Sequence, residues 1–184
     1  MRSYVFLADG FEEIEAIAPV DIMRRAGMDV KFVSITDNKE VTGANGVTVK
    51  SDITLEDIEP EAEWLITPGG MPGAENLHNC KRVGELLLAQ RKSGGRIASI
   101  CASPGVVLAP LGLLNGLKAT CYPGFEPACE KGGAVMVNAS VVTDTNLITA
   151  NGPGAAMKFG YAIVAESMGE DLAKELASAM QYKG

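Results

Sequence analysis

The chain has 184 residues, 47% hydrophobic and 21% charged, which fits one globular domain over residues 1–184 and excludes a disordered chain. Its 16 Lys and Arg against 23 Asp and Glu leave a net charge of −7, the wrong balance for a nucleic-acid partner. No apolar run reaches the roughly 18 residues that span a bilayer, and Met1-Arg2-Ser3 runs directly into a strand-like segment instead of a signal peptide, so the expectation is a cytoplasmic protein with no membrane partner.

Ser3 to Ala8 is a short apolar run ending in Asp9-Gly10, the pattern of a buried strand and a loop. A helix follows, with Ile14, Ile17, Ala18, Ile22 and Ala26 on one face and Gly27 closing it. Pro19 has no N–H for the carbonyl of Glu15, so this helix is expected to kink or begin late. Asp29 to Ile35 reads as a second strand, and Asn45-Gly46 between β-branched residues marks a hairpin over Val41 to Val49. Trp64 to Thr67 is a third core strand, ending in Pro68-Gly69-Gly70. A helix carrying Val83, Leu86 and Leu87 precedes a strand from Arg96 to Cys101, and a further helix is predicted near Pro104. Four short runs between Ala119 and Thr149, split by turn residues, are expected to add edge or antiparallel strands. Asn151-Gly152-Pro153-Gly154 then opens a helix through about Met168, and Glu170 to Met180 forms the last. Alternating strands and helices with Gly at the joints predict an α/β fold with a mostly parallel sheet covered on both faces. Ligands bind such sheets beyond the carboxyl ends of the strands.

Four cysteines, Cys80, Cys101, Cys121 and Cys129, contain no Cys-x-x-Cys, and free thiols are expected. With His78 as the only histidine, the chain scarcely has ligands for a zinc site, so no metal is predicted. Cys101 stands out by position, because it ends a strand, precedes Pro104 and has the small residues Ser99 and Ser103 two positions away on either side. That is the spacing of a nucleophile elbow. A helix N-terminus facing the sulfur would pull the thiol below its usual value of about 8.5. A buried structural cysteine is the competing reading. Glu12, Glu13 and Glu15 follow the first strand and leave the same sheet edge if the strands are parallel, although Glu at a helix start is also favoured by the dipole alone. Gly69 and Gly70 allow main-chain N–H groups to point inward as an oxyanion hole, and a plain tight turn explains them equally well. His78 is the sole candidate for a Cys–His pair, but it falls at an expected exposed helix start. Asp21, Arg24 and Arg25 fit a supporting role, a solvated face or an oligomer contact. Cys80, Cys121 and Cys129 read as structural.

These residues together resemble the DJ-one/ThiJ/PfpI superfamily, in the branch of the parkinsonism-associated protein and bacterial ThiJ-like relatives. The resemblance rests on Ala8 to Glu15, Pro19 to Gly27, Pro68-Gly69-Gly70 with Gly73-Ala74, Ile100-Cys101-Ala102 and Gly152-Pro153-Gly154, in order along nearly the whole chain. It implies a flavodoxin-like three-layer α/β sandwich, a homodimer, Cys101 as nucleophile and redox-active thiol, and Glu15 as a protonated acid hydrogen-bonded to its sulfur. The N–H groups around Gly69, Gly70 and Ala102 would form the oxyanion site, with no cofactor. The implied activity is on α-oxoaldehydes or their protein adducts, of glyoxalase or deglycase type. The alternative is a redox sensor or stress chaperone in which Cys101 becomes a sulfinate. The sequence departs from relatives that carry a histidine near the thiol: Ala102 stands in one such position and Tyr122, within Cys121-Tyr122-Pro123, in another. This disfavours a cysteine peptidase and leaves Glu15, Tyr122 or water as the base. An arginine found in the hairpin of some relatives is also replaced, around Asn45.

Overall fold

The computed structural model describes residues 1–183. In chain order its elements are β1 (Arg2–Leu7), α1 (Glu13–Arg25), β2 (Val30–Ser34), β3 (Glu40–Thr42), β4 (Thr48–Lys50), β5 (Ile53–Thr54), β6 (Ala62–Thr67), α2 (Gly73–Asn79), α3 (Lys81–Lys92), β7 (Arg96–Ile100), β8 (Lys118–Ala119), α4 (Glu126–Lys131), β9 (Val135–Met136), β10 (Val141–Asp144), β11 (Leu147–Ala150), α5 (Ala156–Met168) and α6 (Glu170–Ala179). Seven strands form one sheet in the order β10-β11-β7-β6-β1-β2-β5. Every pairing in it is parallel except β10 with β11. Helices cover both faces, giving the flavodoxin-like α/β sandwich. Among the described residues no helix is long and apolar enough to cross a membrane.

The inner strands are apolar on both faces, as a doubly covered sheet requires: Tyr4 to Leu7 and Trp64 to Ile66 are all buried. The chain runs from β1 outward to β2, then returns past β1 to build β6 and β7 on its other side. The strand order therefore reverses between β1 and β6. The loops leaving their carboxyl ends diverge there and open a crevice.

Several elements differ from the sequence-based reading. Helix α1 passes through Pro19 without a break, and Gly160 of α5 has no side chain to collide with Pro19 and Ile22 at this close crossing. Its apolar face is split: Ile22 is buried, whereas Ile14 and Ile17 are 54% and 39% exposed. The helix expected from Pro104 is a five-residue π-helical turn, Pro104–Leu108, followed by turns. Strand β11 is not an edge strand, since it lies between β10 and β7 and runs parallel to β7. β8 and β9 form a separate parallel pair. His78 lies in the last turn of α2, not at a helix start. Arg25 pairs with Asp21 at 2.8 Å and Arg24 with Asp52 at 2.7 Å, so these side chains serve the surface.

The hairpin β3–β4 is tied to α1 by a carboxylate. Glu13 Oε1 accepts from the Asn45 N–H at 2.7 Å and the Val47 N–H at 3.3 Å, and Oε2 accepts from Asn45 Nδ2 at 2.9 Å. These donors hold the carboxyl below the usual carboxylate range, although burial opposes them. Glu13→Ala should lower unfolding stability by about 1–3 kcal/mol, the typical loss when charge-assisted bonds leave buried donors unpaired. Because the folded-state value is depressed, the contribution is present above the ordinary Glu range and disappears as pH falls through the folded-state value. Urea titrations of both proteins at neutral and acid pH check this, and equal midpoints at neutral pH would remove the clamp.

Candidate active site

Three loop ends meet at the crevice. After β1, Glu12 caps α1 by accepting the Glu15 N–H at 2.8 Å, which sets Glu15 in the first turn with its side chain fully buried. After β6, the Gly69 N–H donates to Glu15 Oε2 at 2.9 Å, and the Gly69 carbonyl accepts from the Glu12 N–H at 2.9 Å. After β7, Cys101 adopts φ 65°, a left-handed conformation unusual for a residue with a side chain. Its N–H donates to Ala150 O at 2.8 Å and its carbonyl accepts from the Tyr122 N–H at 2.8 Å, so neighbouring strand and loop pin both ends of the turn.

Small and hydroxylic residues hold the three loops together. Thr67 Oγ1 donates to Ser99 Oγ at 2.8 Å, and Ser103 Oγ to the Pro68 carbonyl at 2.5 Å. Gly69 is required by space, because a Cβ there would lie 2.6 Å from Cys101 Cβ and 2.7 Å from Glu15 Oε2. Gly70 combines φ 85° with a position where any Cβ would overlap the Glu12 nitrogen.

Cys101 is 8% exposed, and its thiol interacts with the Glu15 carboxyl and with the N–H groups of Gly70 and Ala102. The expected depression of the thiol below its usual range does not hold for the thiol alone. Burial first, then the Glu15 carboxylate, push it up to about 12, while the two N–H groups pull the other way. Burial likewise raises Glu15 to about 7. Between those values the pair carries one negative charge and titrates as a unit. Its partners decide where the remaining proton sits. The sulfur faces two N–H groups, Oε2 receives one, and Oε1 is buried without a well-formed hydrogen bond. A proton on Oε1 removes that orphaned charge and leaves the negative charge on the better-solvated sulfur.

Of the other residues singled out in the sequence, Tyr122 reaches the site only through its backbone; its ring packs against Gly152 and is 45% exposed. His78 is exposed and is not among the groups that shift the thiol. All four cysteines are free, and the thiols of Cys121 and Cys129, read as structural, are near enough to perturb each other's ionisation. The Pro123-Gly124 turn between them is the sequence signal that could have paired them.

The family model described as "DJ-1/PfpI family" matches residues 1–166. The chain belongs to the DJ-1/PfpI family. It is 36% identical over 185 residues to the "Parkinson disease protein 7 homolog" of Danio rerio, covering 99% of this chain and 97% of that protein. Identity to the "Glutathione-independent glyoxalase DJR-1.2" of Caenorhabditis elegans is 36% over 157 residues, covering 83% and 81%. The solved structure "Toxoplasma gondii DJ-1, oxidized" superposes with a TM-score of 0.94 at 34% identity, over 100% of this chain and 99% of that one. Against two Arabidopsis thaliana relatives, the DJ-1 homologs B and A, the chain spans 40% and 45% of their length.

In this DJ-1/PfpI chain, thiolate absorbance in the ultraviolet should rise with a midpoint near the lower value of the pair, about 7. Glu15→Gln should move the midpoint and abolish the pair's second ionisation. A band first appearing towards about 12 would place the proton on sulfur and overturn the assignment.

Proposed function

We propose that the chain is a cysteine-dependent enzyme acting on α-oxoaldehydes such as methylglyoxal, or on their protein adducts, with Cys101 as nucleophile and Glu15 as proton shuttle. The observation that carries this reading is the contact between a fully buried carboxyl and the thiol at the strand-order reversal. The name of the C. elegans relative, a glutathione-independent glyoxalase, supports the substrate class. The Cys101 thiolate adds to the aldehyde carbon, the N–H groups of Gly70 and Ala102 stabilise the alkoxide that forms, and Glu15 gives it its proton, leaving a hemithioacetal and a Glu15 carboxylate. Glu15 takes the proton from the first carbon and returns it to the second, giving a thioester of the 2-hydroxy acid. Water then cleaves the thioester, releases lactate and restores the thiol, so methylglyoxal and one water balance the product. Gly69 keeps the carboxyl and sulfur in contact by leaving no atom between them. Tyr122, whose N–H fixes the Cys101 carbonyl, supports the turn through its backbone.

A second reading, oxidation of Cys101 to a sulfinate in a redox sensor or stress chaperone, rests on the same partners, since a protonated Glu15 and two N–H groups suit a sulfinate as well as an alkoxide. The solved Toxoplasma gondii relative is an oxidized form of that protein, which supports this reading. A cytoplasmic, single-domain protein fits both readings.

The proposed assembly is a homodimer through α1. Ile14, Ile17, Ala18, Val47 and Met157 line one apolar groove, with Glu13 and Asp21 at its rim. A second copy offers the same patch, as a two-fold contact requires.

Purified protein should convert methylglyoxal to lactate, Cys101→Ser should abolish the conversion, and Glu15→Gln should reduce kcat by about a hundredfold or more, the range for losing a positioned proton carrier. Lactate assayed enzymatically decides it, and turnover by the serine variant would falsify the mechanism. For the assembly, light scattering should report a dimer for the wild type and a monomer for Ile17→Asp. A monomeric wild type would end the dimer proposal.

A further inference from the structure

We propose that Cys121 and Cys129 form a second redox site, a dithiol that a hydroperoxide closes to a disulfide separately from Cys101. Cys121 follows β8, Cys129 lies in α4, and the turn between them is closed by the Phe125 N–H donating to the Tyr122 carbonyl at 3.1 Å. The Cys129 N–H donates in turn to the Phe125 carbonyl at 3.2 Å, which seats α4 directly on that turn. Both side chains are buried, and each thiol is near enough to perturb the other's ionisation.

The two sulfurs differ in access. Cys129 is wholly enclosed, whereas Cys121 lines a cavity of about 290 Å³ together with Glu126, Asn138 and Asn151. A peroxide entering that polar cavity meets Cys121 first. Cys129, enclosed behind Cys121, is placed to attack the oxidised Cys121 sulfur.

The chemistry balances in two steps. The Cys121 thiol and one hydroperoxide give the Cys121 sulfenic acid and water or an alcohol. The Cys129 thiol then displaces hydroxide from that sulfenic sulfur, forming the S–S bond and releasing water as the two protons leave with oxygen. Two thiols are oxidised, one peroxide O–O bond is reduced, and a thiol reductant reverses the change. The chemistry proposed at Cys101 takes no part, so the two can fail independently.

The sequence makes the test direct. Trypsin cleavage after Lys118 and Lys131 places both cysteines on one peptide, and chymotrypsin cleavage after Phe125 separates them. Full-length protein and its Cys101→Ser variant are treated with a small excess of hydrogen peroxide, alkylated without reductant and mapped. In both, the 119–131 peptide should lose two hydrogens, resist alkylation, and keep its halves joined after chymotrypsin cleavage at Phe125 until dithiothreitol is added. Intact mass should remain that of a monomer. In Cys129→Ser, dimedone should instead trap a sulfenic acid on Cys121; should that variant not fold, the wild-type map alone decides. Alkylation of both cysteines after Cys101 has been oxidised overturns the proposal. So does a link from Cys121 to Cys101, or one between copies, or sulfinate on Cys121 without a link.

Discussion

A single negative charge shared between a buried carboxyl and a buried thiol is the constraint around which this molecule is arranged. Burial raises both Glu15 and Cys101 above their ordinary values, so a charge on either is costly. What stabilises the charge is backbone: one N–H from Gly69 to the carboxyl, and those of Gly70 and Ala102 to the sulfur. These amides come from loops after two different strands, so the electrostatics of the site depend on the sheet's strand order. Were β6 not beside both β1 and β7, the glycines would not lie between the acid and the thiol.

Holding the pair together costs conformational energy elsewhere. Cys101 sits at φ 65°, an arrangement that costs on the order of 1–3 kcal/mol for a residue with a side chain. The surrounding bonds over-determine it, from Ala150 and Tyr122 on its own backbone to the Ser103 hydroxyl on the Pro68 carbonyl. Ser99 and Ser103 are both fully buried, and each directs its hydroxyl to the β6 side of the site. The small residues that flank the cysteine therefore also fasten its turn to the adjacent strand.

Membership in the DJ-1/PfpI family brings the departures of this chain into focus. The position beside the thiol is Ala102, and Tyr122 turns its ring onto Gly152 instead of reaching in. No imidazole is among the groups that perturb the sulfur, which leaves the carboxyl as its titratable neighbour of largest effect. Around Asn45 the hairpin follows the same pattern. Its main-chain and side-chain amides go to Glu13, so a carboxylate on α1 anchors the hairpin without an arginine in the turn.

The parallel α/β fold was legible because buried strands and Gly-punctuated joints are local signals, and Ser3 to Ala8, Trp64 to Thr67 and Arg96 to Cys101 carry them within a few residues. Cys101 was likewise legible from its flanking small residues and its place at a strand end. Other features were not. Periodicity put Ile14 and Ile17 on the same face as Ile22, but which part of α1 meets α5 depends on where Gly160 allows the helices to approach. Pro19 broke a local rule that the packed helix tolerates. A dipole argument for the thiol counts only what the chain does nearby in sequence, whereas the Glu15 carboxyl that shares its charge lies 86 positions away. The pairing of Cys121 with Cys129 needed α4 to fold back over its own turn. The sequence alone thus determined the layers and the strand end at which the Cys101 sulfur sits, since these follow from backbone preferences and hydrophobic period. Only the tertiary structure decided which acid meets that atom, which face of α1 stays open and what charge the site holds, because solvation and Coulomb interactions depend on distance in space.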